Sequence, residues 1–338
     1  MPAVNFPNRG TFDLSLKASF IRESAMDACR SSKWWSEDTI AVVTGGNKGI
    51  GFEVCKQFAT AGLKVVLTAR DTQRGQEALQ TLKHQGFENV SFHQLDITDE
   101  GSCAAFASWL FRQHGGFDVL VNNAGINGII VDEVYVKENN IKVEDLLGKE
   151  GQGTKGFIVE YESAKACIET NYYGTKYITQ ALLPLLRFSA QGARIVNVGS
   201  SMGQLSNLRC PKLQQELSDL EQLSEAYLDE LLDRYLNDVK QQSWEDKCWP
   251  LKFPSYKMSK IALHAYTRLL ATQLEKEFSD GKVFVNCVDP GSVREDIAGV
   301  MTKVSAPECA ENVVWVALLP FEDCPTGQFF LEKKLATF

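Results

Sequence analysis

Six short runs rich in β-branched residues, at 40–43, 64–68, 90–93, 119–121, 194–198 and 283–288, alternate with segments whose apolar residues recur at helical spacing. This alternation constrains the chain more than any other feature, because strands separated by helices return in the same direction and pair in parallel. The predicted helices are 52–61, 73–84, 101–114, 165–186 and 255–278, and 328–331 reads as a seventh strand. The expected fold is therefore α/β, a doubly wound seven-stranded parallel sheet flanked by helices.

Two stretches break the pattern. Residues 128–162 mix charges with Gly148, Gly151, Gly153 and Gly156 after a strand whose C-terminal end faces the ligand crevice, so they are expected to form a flap. Residues 211–250 place Leu213, Leu217, Leu220, Leu223, Leu228, Leu231, Leu232, Tyr235 and Val239 among acids and glutamines. That spacing predicts one or two amphipathic helices, with the leucines as a packing face. The expected organisation is an N-terminal extension over 1–36, with Trp34 and Trp35 covering the domain edge, and one domain over 37–338 carrying both insertions.

Composition narrows the partners. A hydrophobic content of 44% supplies a core, and a formal charge of −8 argues against a broad surface for nucleic acid or anionic lipid. No apolar run approaches the roughly 18–20 residues of a membrane-crossing helix. The nine cysteines lack CxxC spacing and fit neither a zinc site nor a disulfide framework, which points to a reducing compartment, the cytoplasm. A plastid transit peptide over 1–36 is the alternative. His84, His93, His114 and His264 share no metal-ligand spacing, so no metal is expected and each is read as an ordinary surface or core residue.

Thr44-Gly45-Gly46-Asn47-Lys48-Gly49-Ile50-Gly51 follows the first strand and opens a helix. Glycine allows positive φ and close backbone approach, and a helix N-terminus offers N–H groups and a positive dipole to a pyrophosphate. In this strand–turn–helix context the run reads as the dinucleotide loop of a Rossmann fold. The second strand ends at Arg70, where an acid would repel a 2′-phosphate; Arg70 and Lys48 instead favour NADPH over NADH. Asp71 stands next to Arg70 and either could turn inward. Asp96, beside Ile97, is placed to accept from an adenine amine, or equally to cap a helix.

Tyr256 and Lys260 are four residues apart and share one helix face. A phenol of pKa near 10 becomes a competent acid–base group at neutral pH when a cation within about 4–6 Å favours its ionised form. Asn122-Asn123-Ala124-Gly125 after the fourth strand, Asn171 early in the next helix, Ser200 after the fifth strand and Asp289-Pro290-Gly291 after the sixth all fall at the same sheet edge.

Taken in order, TGxxxGIG, NNAG, the helix asparagine, the serine, YxxxK and PG resemble the short-chain dehydrogenase/reductase family over about 39–330. GGNKGIGFEV, NYYGTK, the insertion before Tyr256, Trp249-Pro250 and AYTRLLA resemble its monomeric carbonyl reductase branch, including salutaridine reductase-like and neomenthol dehydrogenase-like plant enzymes. The resemblance implies a catalytic tetrad of Asn171, Ser200, Tyr256 and Lys260. Ser200 rather than Ser201 is chosen because its S-x-x-G spacing to Gly203 matches. In that scheme Ser200 orients a substrate carbonyl, Tyr256 donates the proton, Lys260 tunes Tyr256 and holds the cofactor ribose, and Asn171 holds a water linking Lys260 to solvent. NADPH or NADP+ is expected against Gly45, Asn47, Lys48, Gly49, Ile50, Gly51, Arg70, Asp96, Ile97, Asn123, Ala124, Gly125, Tyr256, Lys260, Pro290, Gly291 and Val293.

The implied activity is reduction of a ketone or aldehyde, or the reverse oxidation, on a hydrophobic terpenoid or alkaloid of plant specialised metabolism. A monomer is implied by the inserted helices, which cover a surface used for pairing in shorter relatives. One departure is Glu295, where the family commonly has threonine. It motivates the alternative of a catalytically weak NADPH-binding scaffold; imine or iminium reduction is the other alternative.

Overall fold

A computed structural model describes residues 33–141, 156–187, 192–278, 283–291 and 304–338. Trp35–Phe338 forms one compact unit. Val293 and Glu295, the middle of the flap and nearly all of the expected extension lie outside the described residues.

The main sheet comprises β1 (Ile40–Val43), β2 (Lys64–Ala69), β3 (Val90–Gln94), β4 (Val119–Asn122), β7 (Ala193–Val198), β8 (Val283–Asp289), β9 (Phe329–Leu331) and β10 (Lys334–Ala336). A separate hairpin pairs β5 (Ile130–Val131) with β6 (Phe157–Ile158). The sheet order is β10-β9-β8-β7-β4-β1-β2-β3, and every pairing is parallel except β9–β10. All seven predicted parallel strands are present. An eighth, antiparallel strand was not foreseen. It forms because Glu332 and Lys333 both adopt positive φ, 50° and 59°, making a two-residue turn between Leu331 and Lys334 without the usual Asn-Gly signal.

The chain runs outward from β1 through β2 to β3 and then returns to β4 on the other side of β1. This reversal opens a crevice beyond the C-terminal ends of β1 and β4. Strands β1, β4 and β7 are buried at every residue, which explains their unbroken apolar runs.

Helices α1 (Gly49–Thr60), α2 (Thr72–His84), α3 (Glu100–His114), α4 (Glu133–Glu138), α5 (Tyr161–Ile168), α6 (Thr175–Leu182), α7 (Pro211–Ser218), α8 (Glu225–Lys240), α9 (Pro254–Glu277) and α10 (Ala306–Ala317) complete the described elements. The continuous helix expected over 165–186 is instead α5, a π-turn at Glu169–Gly174, α6 and a 3-10 turn at Leu183–Leu185. α10 is additional to the helices expected from apolar periodicity. Its signal stands in Ser305-Ala306-Pro307-Glu308, a capping box in which Ser305 N–H donates to Glu308 Oε2 at 2.9 Å.

The helical insertion is two helices, α7 and α8. Leu213, Leu217, Leu228, Leu231, Leu232 and Tyr235 are buried in the core cluster that also takes in α9. Polar contacts fix this cover in place. Tyr172 Oη donates to Asp229 at 2.9 Å and Lys176 Nζ to the same carboxylate at 2.8 Å, with Glu225 at 3.1 Å. Burial disfavours the Lys176 ammonium, yet hydrogen bonds to Asp229 and Glu225 outweigh it and hold its pKa above the usual lysine value. At the other end of the sheet, Trp35 Nε1–H donates to Ala61 O at 3.2 Å, closing over the loop before β2.

Candidate active site

The glycine turn sits at the start of the crevice. Gly45 and Gly49 have φ of 64° and 56°, values that L side chains resist. A Cβ on Gly49 would meet no protein atom within 4 Å, so the space above it is open. Lys48 caps α1 without a side-chain hydrogen bond, leaving the first-turn N–H groups uncapped by it. An open turn over uncapped N–H groups fits a phosphate.

Asn123 ties that turn to β4. Its Nδ2–H donates to Thr44 O at 2.9 Å and Gly45 O at 3.2 Å, while Thr44 Oγ1 accepts from Asn123 N at 2.9 Å and Ala124 N at 3.0 Å. The NNAG run thus has a structural task as well as a position at the crevice. Asn122 points the other way: Nδ2 donates to Thr179 Oγ1 and Asn197 Oδ1, and Asn197 donates to Thr267 Oγ1, a buried polar chain joining α6, β4, β7 and α9.

At the end of β2, Arg70 is exposed and Asp71 caps α2, its Oδ1 accepting from Arg74 N at 2.8 Å. The Asp71 carboxylate is thus engaged by its own helix, and Arg70 follows the last residue of β2 as an exposed cation. Asp96 does not cap a helix, since Asp99 caps α3. Asp96 Oδ1 instead accepts from Thr98 N and Oγ1 at 3.0 and 2.7 Å, beside buried Ile97.

Phe253, with φ 51°, turns the chain sharply into Pro254 at the first position of α9, and so aims Tyr256 and Lys260 along one face of that helix. Lys260 is 6% exposed; its Nζ donates to Val198 O at 2.7 Å and lies 5.6 Å from the centre of the Tyr256 ring. Burial pushes its ammonium below the usual lysine value, against the opposing influence of Cys287, Cys167 and Asp289.

Asn171 lies in the π-turn, a feature that often marks functional positions. Its Nδ2 donates to Ile126 O at 2.8 Å and to Ser259 Oγ at 2.9 Å, and its Oδ1 accepts from Ile126 N at 2.8 Å. Ser259 in turn donates to Tyr256 O at 2.8 Å. Both amide N–H groups are committed to protein partners, so the side chain braces the loop after β4 against α9.

Ser200 and Ser201 diverge. Ser201 N–H donates to Asp289 Oδ2 at 2.6 Å, while Ser200 Oγ accepts from Met202 N at 3.2 Å at the start of a 3-10 turn closed by Gly203 N–H on Ser200 O at 2.7 Å. Asp289 Oδ1 also accepts from Gly291 N at 2.7 Å, joining the loops after β7 and β8, and Pro290 O accepts from Asn312 at 3.1 Å. Val293 is beyond the described residues.

Of the two positions expected for His264, surface or core, it takes the core, and there it meets the Ser200 turn. It is 1% exposed, and its Nε2 accepts from Ser200 N at 3.4 Å. The S-x-x-G spacing has its reason here, since a Cβ on Gly203 would stand 2.7 Å from the His264 ring and 2.9 Å from Lys260 O. The imidazole also packs 4.5 Å from the Phe329 ring, and burial followed by the Lys260 charge pushes its pKa down to about 3. One signal could have found it: His264 is four residues beyond Lys260 and eight beyond Tyr256, on their helix face.

A recess beside Tyr256 is walled by Ile129, Ile130, Phe157, Val159 and Phe253, with Phe157 and Phe253 edge to face at 4.8 Å. The flap bases that supply this wall are fastened by Ser163 Oγ on Gly128 O at 3.1 Å. Among the described residues no cluster could hold a metal ion, and no helix is long and apolar enough to cross a membrane.

Residues 39–211 match the family of short chain dehydrogenases. The chain belongs to this family. It is 43% identical over 313 residues to a (+)-neomenthol dehydrogenase of Capsicum annuum, covering 88% of this chain and 97% of that protein. It is 35% identical over 303 residues to carbonyl reductase [NADPH] 1 of Rattus norvegicus, covering 89% and 98%. The solved structure of salutaridine reductase from Papaver somniferum superposes with a TM-score of 0.76 at 40% identity, covering 86% of this chain and 99% of that one. The protein is accordingly an oxidoreductase of a short-chain dehydrogenase family that uses nicotinamide cofactors, with carbonyl reductases among its relatives.

Proposed function

We propose that this protein reduces a ketone or aldehyde on a hydrophobic small molecule, a terpenoid or alkaloid of plant specialised metabolism, with NADPH, and that the reverse oxidation uses the same site. The observation that carries the reading is the buried Lys260 ammonium held by Val198 O 5.6 Å from the Tyr256 ring, on the side of the crevice where the Ser200 turn sits. The apolar walls beside Tyr256 support a hydrophobic substrate.

NADPH, when bound, supplies the hydride. Gly45, Asn47, Lys48, Gly49, Ile50 and Gly51 hold its pyrophosphate, Lys48 and Arg70 its 2′-phosphate, and Asp96 and Ile97 its adenine. Asn123, Ala124, Gly125, Pro290 and Gly291 line the nicotinamide side, and Lys260 holds the ribose. The exposed Arg70, with Asp71 engaged as a helix cap, supports the phosphorylated cofactor; so does the name of the rat relative.

Ser200 Oγ orients the substrate oxygen, Tyr256 Oη gives its proton to that oxygen, and the Lys260 ammonium stabilises the phenolate left behind. Asn171 keeps the loop after β4 in register with α9, and His264 holds the Ser200 turn from below. We further take residues 37–338 as one reductase domain that acts as a monomer in the cytoplasm, with α7 and α8 covering the face of α6 and α9.

The test is Tyr256→Phe assayed for NADPH oxidation across ketones, aldehydes and iminium compounds. Loss of a positioned acid should lower kcat roughly 10²–10⁴-fold with KM little changed. Unchanged turnover of a ketone would remove Tyr256 from the mechanism, and turnover confined to iminium substrates would replace the carbonyl reading.

A further inference from the structure

The helical insertion carries a pair of thiols that the proposed reaction does not use. Arg209 brings them together: its N–H donates to Cys248 O at 3.0 Å, and its Nη1 donates to Glu245 O at 2.7 Å and Lys247 O at 3.2 Å. Three hydrogen bonds from one residue fix the 245–248 turn against the backbone that leads into α7. Cys210, the next residue along, and Cys248 consequently stand on neighbouring backbone segments that wall the same recess. Both are half-buried on the wall of one solvent-open recess, which Arg209, Lys212 and Arg234 also line.

The other described cysteines differ. Cys55, Cys103, Cys167, Cys287, Cys309 and Cys324 are buried, and burial pushes each thiol up. Cys210 is shifted the opposite way, below the usual thiol value, by its hydrogen bond with Cys248 and then by the backbone at Leu213 and Lys212 in the first turn of α7. The Cys248 thiol, raised chiefly by that same bond, has Arg209 and Arg234 acting against the rise. A more acidic thiol beside a second thiol, in reach of solvent and near cations, is the arrangement of an attacking and a resolving cysteine. It is not a metal centre, because no third ligand joins the two among the described residues.

We propose that Cys210 and Cys248 form a reversible disulfide by exchange with a low-molecular-weight disulfide such as oxidised glutathione. The Cys210 thiolate attacks one glutathione sulfur, forming a mixed disulfide and expelling one glutathione thiolate. The Cys248 thiolate then attacks Cys210 Sγ and expels the second. Two protein thiols lose two electrons and two protons, and the glutathione disulfide gains them as two thiols. The new bond spans all of α7 and α8 and staples the cover to the segment leading into α9. Its constraint reaches the catalytic helix through Trp249, whose Nε1–H donates to Asp238 at 2.8 Å and whose ring meets Tyr235 edge to face at 5.6 Å, and through Tyr235 Oη on Ser255 Oγ at 2.8 Å.

The full-length protein is incubated with oxidised glutathione, then denatured and alkylated, and its mass and peptide map are read. The reduced chain alkylates at nine cysteines. The oxidised chain should alkylate at two fewer, yield one peptide linking Cys210 to Cys248, melt several degrees higher because the link constrains the unfolded chain, and revert with dithiothreitol. Cys248→Ser should instead trap glutathione on Cys210, with the melting temperature of the reduced protein. A cross-link between any other cysteines, a full set of nine free thiols after oxidation, or loss of two thiols in Cys248→Ser would each overturn the proposal, as would an oxidised form that melts no higher than the reduced one.

Discussion

At the turn after β1 the backbone is shaped by residues 44–51 and by Asn123 just past the neighbouring strand, whereas the wall beside Tyr256 is assembled from 127–130, 157–160 and 253–256. In the first region glycine spacing sets the geometry locally and leaves the space above Gly49 open. In the second, apolar side chains from three distant segments meet, and no single motif specifies their shape. Conserving one region's chemistry while varying the other's is how one scaffold serves many substrates.

The sharpest break between the two regions should come from Gly49→Val. A β-branched residue strains the backbone at φ 56° although it strikes no protein neighbour, so stability should fall somewhat and the cofactor should also lose one or two phosphate hydrogen bonds. NADPH affinity, measured by calorimetry, should weaken by about 2–3 kcal/mol, roughly 30- to 150-fold. A fall in thermal stability with unchanged affinity would show that the turn is only structural.

Next in size is the pH response of His264. Its folded pKa of about 3 lies below an unfolded value of about 6.5, so its contribution to stability is complete above pH 6.5 and declines as pH falls toward 3. Between pH 7 and 5 the protein should lose about 2 kcal/mol more, by urea unfolding, than His264→Gln, at about 1.4 kcal/mol per pH unit below 6.5. Parallel stability curves would place the imidazole in water.

Arg70→Ala should weaken NADPH by about 1.4 kcal/mol, roughly tenfold, and leave NADH alone. Equal losses for both cofactors would assign the preference elsewhere. The smallest effect is expected of Phe157→Ala, which removes one edge-to-face contact worth about 0.5–1.5 kcal/mol from the substrate wall. KM for a bulky ketone should change a few-fold while cofactor affinity stays constant; a matching change in cofactor affinity would erase the distinction between the two regions.

The sheet was legible because buried parallel strands are continuous apolar runs, and β1, β4 and β7 are buried throughout. The glycine turn was legible because backbone conformation and sequence spacing are the same information over eight residues. β10 escaped because its turn uses Glu332 and Lys333, which do not advertise positive φ. The π-turn escaped because Asn171 is drawn into it by Ile126 and Ser259, partners remote in sequence. α10 stood behind a capping box that was readable and went unread.

By itself the sequence determined the seven parallel strands, most of the helices between them and the phosphate-type turn, and it marked Asn171, Ser200, Tyr256 and Lys260 as candidates for one sheet edge. Those follow from periodicity and from residue types at short spacing. Only the tertiary structure decided that Asp71 caps a helix while Arg70 stays exposed, that His264 rather than solvent lies behind the Ser200 turn, and that Cys210 and Cys248 share one recess across the whole helical insertion. Each depends on which of several chemically possible partners the packed chain brings within reach, and spacing along a sequence carries no distance between segments that only burial brings together.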